Sequence, residues 1–149
     1  MKLSPDFSEF LESLDVEGVR YLLVGGYALA AHGLPRFTKD IDIWMSCDGD
    51  NADRMMRALK RFGFGSLSLT REDLMDPHGI VQLGYPPLRI DILGGISGVE
   101  FESAWTRRIV VLWENRSIPV IDRNDLIANK KASGRLRDLA DVEDLEKLG

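Results

Sequence analysis

Cysteine is nearly absent from this chain. The single Cys47 among 149 residues rules out an internal disulfide and points to a reducing, cytoplasmic location. Histidine is scarce too. His32 and His78 have no Cys or His partner at ligand spacing, so both read as surface or turn residues. No apolar run approaches the ~20 residues that cross a bilayer, and "MKLSPDFSEF" lacks the basic and apolar segments of a secretory leader. Repeats, low-complexity tracts and linkers are missing as well, which leaves one domain over residues 1–149 and no membrane partner. Positive charge is in deficit: a net charge of −5 argues against a protein that coats nucleic acid through phosphate contacts alone.

The residues that are present, 44% hydrophobic and 29% charged, describe a globular chain with enough apolar surface for a core. Phe7, Phe10, Leu11 and Leu14 fall at i, i+3, i+4, i+7 and predict an amphipathic helix with Ser4 as its cap and Pro5 in its first turn. "VRYLLVG" reads as a buried strand, "GYALAAHG" as a short helix closed by Gly33, and "KDIDIWM" as a second strand. Ala52, Met55, Met56 and Leu59 predict a helix over about 51–61, and "TREDLM" a short capped one. "IVQLGY" and "LRIDILG" are strands joined at Pro86-Pro87. "GVEFESAWTRR" is helical, with Trp105 a core or edge-packing residue like Trp113. "IVVLW" and "SIPVI" flank a hairpin turn at Glu114-Asn115-Arg116. Two helices, "RNDLIANKKA" and "RLRDLADVEDLEKL", follow on either side of Gly134. Hairpins mixed with crossover helices imply an α+β, or mixed α/β, fold: a mixed sheet flanked by helices with a C-terminal helix pair.

The chemistry concentrates in "LLVGGYALAAHGLPRFTKDIDIW". Alternation along a strand puts Asp40 and Asp42 on one face, with Ile41 and Ile43 on the other. Two neighbouring carboxylates repel, and a hard cation relieves the repulsion. Asp91 in "LRIDIL" also turns away from the apolar side of its strand, so if the strands pair, three carboxylates surround a metal site of the kind that clamps phosphoryl displacement. Gly25-Gly26 stands between a strand and a helix, where glycine admits a tight turn and the helix start offers N–H groups to phosphate. Each element alone has an ordinary structural explanation: a turn, a solvated strand face, an isolated acid. Their conjunction is what carries the reading.

The run "VGG", thirteen residues, then "DIDI" resembles the signature of the polymerase-beta-like nucleotidyltransferase superfamily. More narrowly, "GGYALAAHGLPRFTKDIDI" and "ANKKASGRLRDLADVEDL" resemble the small bacterial AbiEii-like and related nucleotidyltransferase groups, over roughly Leu22 to Leu145. That resemblance implies an Mg²⁺-dependent enzyme (Mn²⁺ as a substitute) that moves an NMP from an NTP to a protein, tRNA or small-molecule acceptor. It implies that Asp40, Asp42 and Asp91 bind metal and catalyse, and that Gly25 and Gly26 hold the triphosphate. It implies a toxin–antitoxin or phage-defence setting with a possible partner protein. Many members carry Ser where Gly26 stands, so a hydroxyl contact is missing here.

Further nucleotide-binding candidates are Tyr27 near base or ribose, Arg36 and Lys39 flanking the acid strand, and Lys130 on the apolar face of its helix. Snorkelling and packing are the competing explanations for Lys130 and Tyr27. Asp138 and Asp141 are candidates to anchor the last helix onto a basic residue near the site. Trp44 is expected to border the pocket or cover its floor. The alternative to an enzyme is a non-catalytic nucleotide- or partner-binding module on the same fold.

Overall fold

A computed structural model describes residues 2–64, 68–85 and 88–149. The first helix, α1 (Pro5–Glu17), starts where the Ser4 hydroxyl accepts the Phe7 N–H at 3.1 Å and ends at Gly18, whose φ of 70° a side chain would resist. It buries Phe7, Phe10, Leu11 and Leu14. β1 (Tyr21–Val24) is buried on both faces and runs straight into α2 (Gly25–Ala31). β2 (Asp40–Met45) follows, then α3 (Gly49–Phe62), capped by Asp48 and closed by Gly63. α1 packs on α3, with Phe10 edge-on to Phe62.

A 3₁₀ turn at Asp73–Met75 leads to β3 (Ile80–Tyr85) and β4 (Leu88–Leu93), an antiparallel pair. Their Pro86-Pro87 connection lies outside the described residues. α4 (Phe101–Arg107) precedes the hairpin β5 (Ile109–Trp113) and β6 (Arg116–Val120). The turn itself is only Glu114-Asn115, both at positive φ (51° and 65°), while Arg116 already belongs to β6. Two consecutive left-handed residues match the right-handed twist of the strands they join. α5 (Arg123–Ser133) and α6 (Leu136–Leu148) close the chain around Gly134.

Among the described residues the six strands form one mixed sheet in the order β3-β4-β2-β1-β6-β5. β2 is antiparallel to β1 and parallel to β4, and β6 is parallel to β1. The expected α+β class with a C-terminal helix pair is what the structure shows. Pleat alternation sends Ile41 and Ile43 fully into the core and leaves Asp40 and Asp42 on the opposite face. At the far end of that face Trp44 is buried beneath α4, its ring edge-on to Phe101 at 5.1 Å. It is therefore part of the core under α4 and does not border the clefts described next.

Candidate active site

The parallel pairing of β2 and β4 sets Asp42 directly beside Asp91. The two carboxyls are within hydrogen-bonding contact. Burial comes first among the forces that push Asp42 up to about 7; the charge of Asp91, contact with its carboxyl and the charge of Asp40 add to it, and Arg89 opposes them. At neutral pH the pair thus tends to retain a proton. Asp91 Oδ1 is buried with no hydrogen-bond partner among the described residues. Asp40 lies one step along the same face, opposite Arg89, and its Oδ2 accepts from the Arg89 guanidinium at 3.2 Å. Arg89 is a site residue that sequence reasoning passed over. Its signal was the alternation in "LRIDIL", which puts it on the same face as Asp91.

These donors suit a hard divalent cation: they are carboxylate oxygens, two of them are crowded together, and one buried oxygen lacks any partner. Among the described residues, no three His, Cys, Asp or Glu side chains are gathered closely enough to hold an ion as they stand. Asp40, the third carboxylate, is engaged by Arg89 at 3.2 Å.

Gly25 begins α2 at φ 69°, and a Cβ built there would lie 2.0 Å from Asp42 Oδ2. The glycine is thus demanded twice, by its backbone conformation and by the carboxylate packed against it. Gly26 is less constrained, since its Cβ would meet the Thr38 methyl at 3.0 Å. Thr38 in turn positions the acid strand, its hydroxyl accepting the Asp40 N–H at 2.9 Å.

Two clefts meet here. The smaller, about 280 Å³, is lined by Gly25, Gly26, Thr38, Asp40 and Asp42 together with Arg36 and Arg137. The larger, about 600 Å³, runs past Asp42 toward Ile80, Leu93, Ile96, Asn129 and His78. Gly25, Asp42, Lys130, Arg135 and Asp138 border both. His78, Asn129 and Ser133 were not legible as lining residues, because strand β4 and helix α5 converge only in three dimensions.

The cations of the smaller cleft are mostly engaged. Lys130 is buried, and its Nζ donates to Asp141 at 2.9 Å and to Asp138 at 3.3 Å. Arg36 grips Asp141 with both Nη atoms, at 3.1 and 2.5 Å. Asp138 also accepts from Ser133 and from Arg135. So Asp138 and Asp141 anchor α6 onto basic residues at the cleft. Arg137 lines the cleft with no ion-pair partner among the described residues.

Two sequence candidates are not brought to the site. Tyr27 is buried between Phe7 and Trp113, with ring centroids 5.8 and 5.6 Å away, because its turn of α2 faces α1 and the β5–β6 hairpin. Lys39 is exposed and borders neither cleft, since pleat alternation turns it from the face of Asp40.

The α6 anchor predicts acid sensitivity. Burial alone would raise Asp138, but hydrogen bonds from Ser133 and Arg135 and the Lys130 charge outweigh it and hold the carboxyl down to about 2. Asp141 is also lowered: burial opposes, and Arg36 and Lys130 prevail. A depressed folded pKa stabilises above the unfolded value near 3.8 and loses that stability as pH falls toward 2. Asp141→Ala leaves Arg36 and a buried Lys130 short of a partner and is expected to cost about 3 kcal/mol at pH 7. Urea unfolding at pH 7 and pH 3 measures it: the difference from wild type should shrink at the lower pH.

Comparison with known proteins places this geometry. No curated protein sequence matches the chain. Among solved structures, the lincomycin-bound lincosamide antibiotic adenylyltransferase LnuA superposes with a TM-score of 0.58 at 14% identity, covering 99% of each chain. TM1012 from Thermotoga maritima gives 0.58 at 18% identity, over 95% of this chain and 88% of the other. An antigenic nucleotidyltransferase-like protein from Paracoccidioides brasiliensis gives 0.51 at 18%, over 100% and 79%. Identities this low speak for the fold. The sequence model described as "Nucleotidyl transferase AbiEii toxin, Type IV TA system" matches residues 9–147, a span holding the glycine turn, all three strand aspartates and the Lys130–Asp141 anchor. The chain therefore belongs to the AbiEii nucleotidyltransferase family.

Proposed function

We propose that the chain transfers an NMP from an NTP to a hydroxyl-bearing acceptor, with the reacting phosphorus at the junction of the two clefts. One observation carries the reading: Asp42 borders both clefts with Asp91 beside it on β4, under a glycine whose missing Cβ leaves room for the Asp42 carboxylate. The smaller cleft suits a triphosphate. Its floor is the Gly25-Gly26 backbone, and Arg137 is a cation free to meet phosphate among the described residues. The larger, more apolar cleft suits the groups to be joined.

Asp40, Asp42 and Asp91 would hold Mg²⁺, or Mn²⁺ in its place, which when bound supplies positive charge to the phosphates and relieves the repulsion among the acids. The acceptor oxygen attacks the α-phosphorus. A bond from that oxygen to phosphorus forms, the bond to the β-phosphate oxygen breaks, and pyrophosphate leaves. Asp91, whose Oδ1 is left without a hydrogen-bond partner among the described residues, would take the hydroxyl proton. Arg89 orients the Asp40 carboxylate across the strand pair. Arg36 and Lys130 hold α6 in place and so shape the wall of the cleft. A protein, tRNA or small-molecule acceptor, a toxin–antitoxin setting with a protein partner, and a single catalytic unit over residues 1–149 are parts of the same reading.

Calorimetric titration with each NTP, with and without Mg²⁺, on wild type and Asp40→Asn/Asp42→Asn tests it. Metal-dependent binding that disappears in the variant is the expected result, followed by transfer of label from α-labelled NTP to an acceptor. Binding of equal strength in both proteins would place the nucleotide elsewhere.

A further inference from the structure

The two edges of the sheet differ. β3 carries Gln82 and Gly84 toward solvent, Gly84 at φ 85°, and its exposed Ile80 lines the larger cleft. β5 has none of these interruptions. It reads Ile-Val-Val-Leu-Trp over 109–113, without charge, proline or glycine, at the open end of the strand order. Val110 is 64% exposed and Leu112 71% exposed. Soluble proteins generally guard such an edge, because its unpaired backbone groups are a template for another strand.

The hairpin register says which backbone groups find no partner strand among the described residues. With a two-residue turn, Trp113 and Arg116 form the closing hydrogen-bonded pair, and bonding alternates from there. Val111 and Ile109 spend their backbone groups on β6. Val110 and Leu112 turn theirs to the open edge. Pro119, which has no N–H to give, stands opposite Val110, where β6 donates nothing to β5.

We propose that this edge pairs antiparallel with β5 of a second copy of the chain, about a two-fold axis at Val111, making a dimer with one continuous sheet. That centre satisfies three conditions at once. Val110 of one copy faces Leu112 of the other, so the outward backbone groups exchange about four hydrogen bonds. The same pairing brings both copies' Val110 and Leu112 together on one sheet face, as a cross-strand apolar cluster. It also brings Arg108, just before β5, toward Glu114 at the turn end of the other copy, since the two residues are equally far from Val111. Both are exposed. Arg108 is held in place over the Trp105 ring at 4.0 Å, donating to the Trp105 carbonyl at 2.8 Å. Glu114 accepts the Leu3 N–H at 3.3 Å. An edge whose charges are complementary to themselves under a two-fold axis is suited to its own copy, and such an interface closes at two.

Sedimentation velocity from low to high micromolar protein tests the proposal, with melting curves confirming that each variant folds. Wild type is expected to reach a dimer. Val110→Lys/Leu112→Lys puts cations of both copies side by side on exposed positions and should weaken association at least ~100-fold. Arg108→Glu should weaken it by setting like charges opposite each other, and Arg108→Glu/Glu114→Arg should restore it. A wild type that stays monomeric throughout would overturn the proposal. So would assembly beyond two, a dimer indifferent to the lysine pair, or a folded charge swap that fails to recover association.

Discussion

Asp42→Asn is expected to abolish nucleotidyl transfer and, in the same stroke, to stabilise the metal-free protein. Both effects come from one packing fact: Asp42 is buried beside Asp91, with Asp40 close by. In the unfolded chain the carboxyl loses its proton near 3.8; in the fold it holds it up to about 7. Between those values the folded state binds the extra proton, so this group's contribution to stability falls as pH rises through the window and is fully unfavourable above it. A rise of that size sets an upper bound of about 4 kcal/mol on the penalty. An asparagine amide keeps the shape, carries no charge and can donate to the Asp91 carboxylate. The variant's advantage should be largest near pH 8 and vanish below the unfolded value. Thermal melts in chelator at pH 8 and pH 4 read it directly. Transfer should fall at least roughly 10³-fold, the loss typical of removing one strong charge-stabilising element from a polar active site. A variant no more stable than wild type at pH 8 would mean that the acids do not crowd one another. A variant that still transfers at wild-type rate would remove Asp42 from the chemistry.

Gly25→Ala has the second largest expected effect, and Gly26→Ala is its control. At Gly25 an added methyl would stand 2.0 Å from Asp42 Oδ2 on a residue held at φ 69°. The left-handed conformation alone costs roughly 1–2 kcal/mol for any residue with a Cβ. The clash then forces the Asp42 carboxylate to rotate out of register with Asp91. A displacement of about 1 Å in a reacting constellation costs on the order of 10²-fold in rate. At Gly26 the nearest atom is the Thr38 methyl at 3.0 Å, and α2 gains a residue that favours helix, so the two small effects oppose each other. Gly25→Ala is thus expected to lower both melting temperature and activity, and Gly26→Ala to leave both close to wild type. Equal behaviour of the two would show that the turn needs flexibility in general and not space for Asp42.

Much of this molecule follows from local pattern. The cap Ser4 and Pro5 open α1, and period-two alternation put Asp40, Asp42 and Asp91 off the apolar faces of their strands. These are decided within a few residues, by backbone sterics and by side-chain period, and so they can be read from the chain alone. The resemblance carried by "GGYALAAHGLPRFTKDIDI" and "ANKKASGRLRDLADVEDL" agrees with the family match over residues 9–147.

The active constellation required more. Whether Asp91 stands beside Asp42 depends on the register of two parallel strands 49 residues apart, which no turn specifies. The Arg89 guanidinium that donates to Asp40 is set by the same register. Arg36 finds Asp141 across 105 residues, and Lys130 meets its acids only because Gly134 folds α6 back along α5. Tyr27, directly after the glycine pair, carried no local sign of which way its ring would face; packing against Phe7 and Trp113 decided it. The sequence by itself determined the elements, the apolar and acidic faces and the family. Tertiary structure alone decided which charges meet, because a charge pair is fixed by strand register and helix docking, and those are chosen by the burial of the whole core and not by any stretch of it.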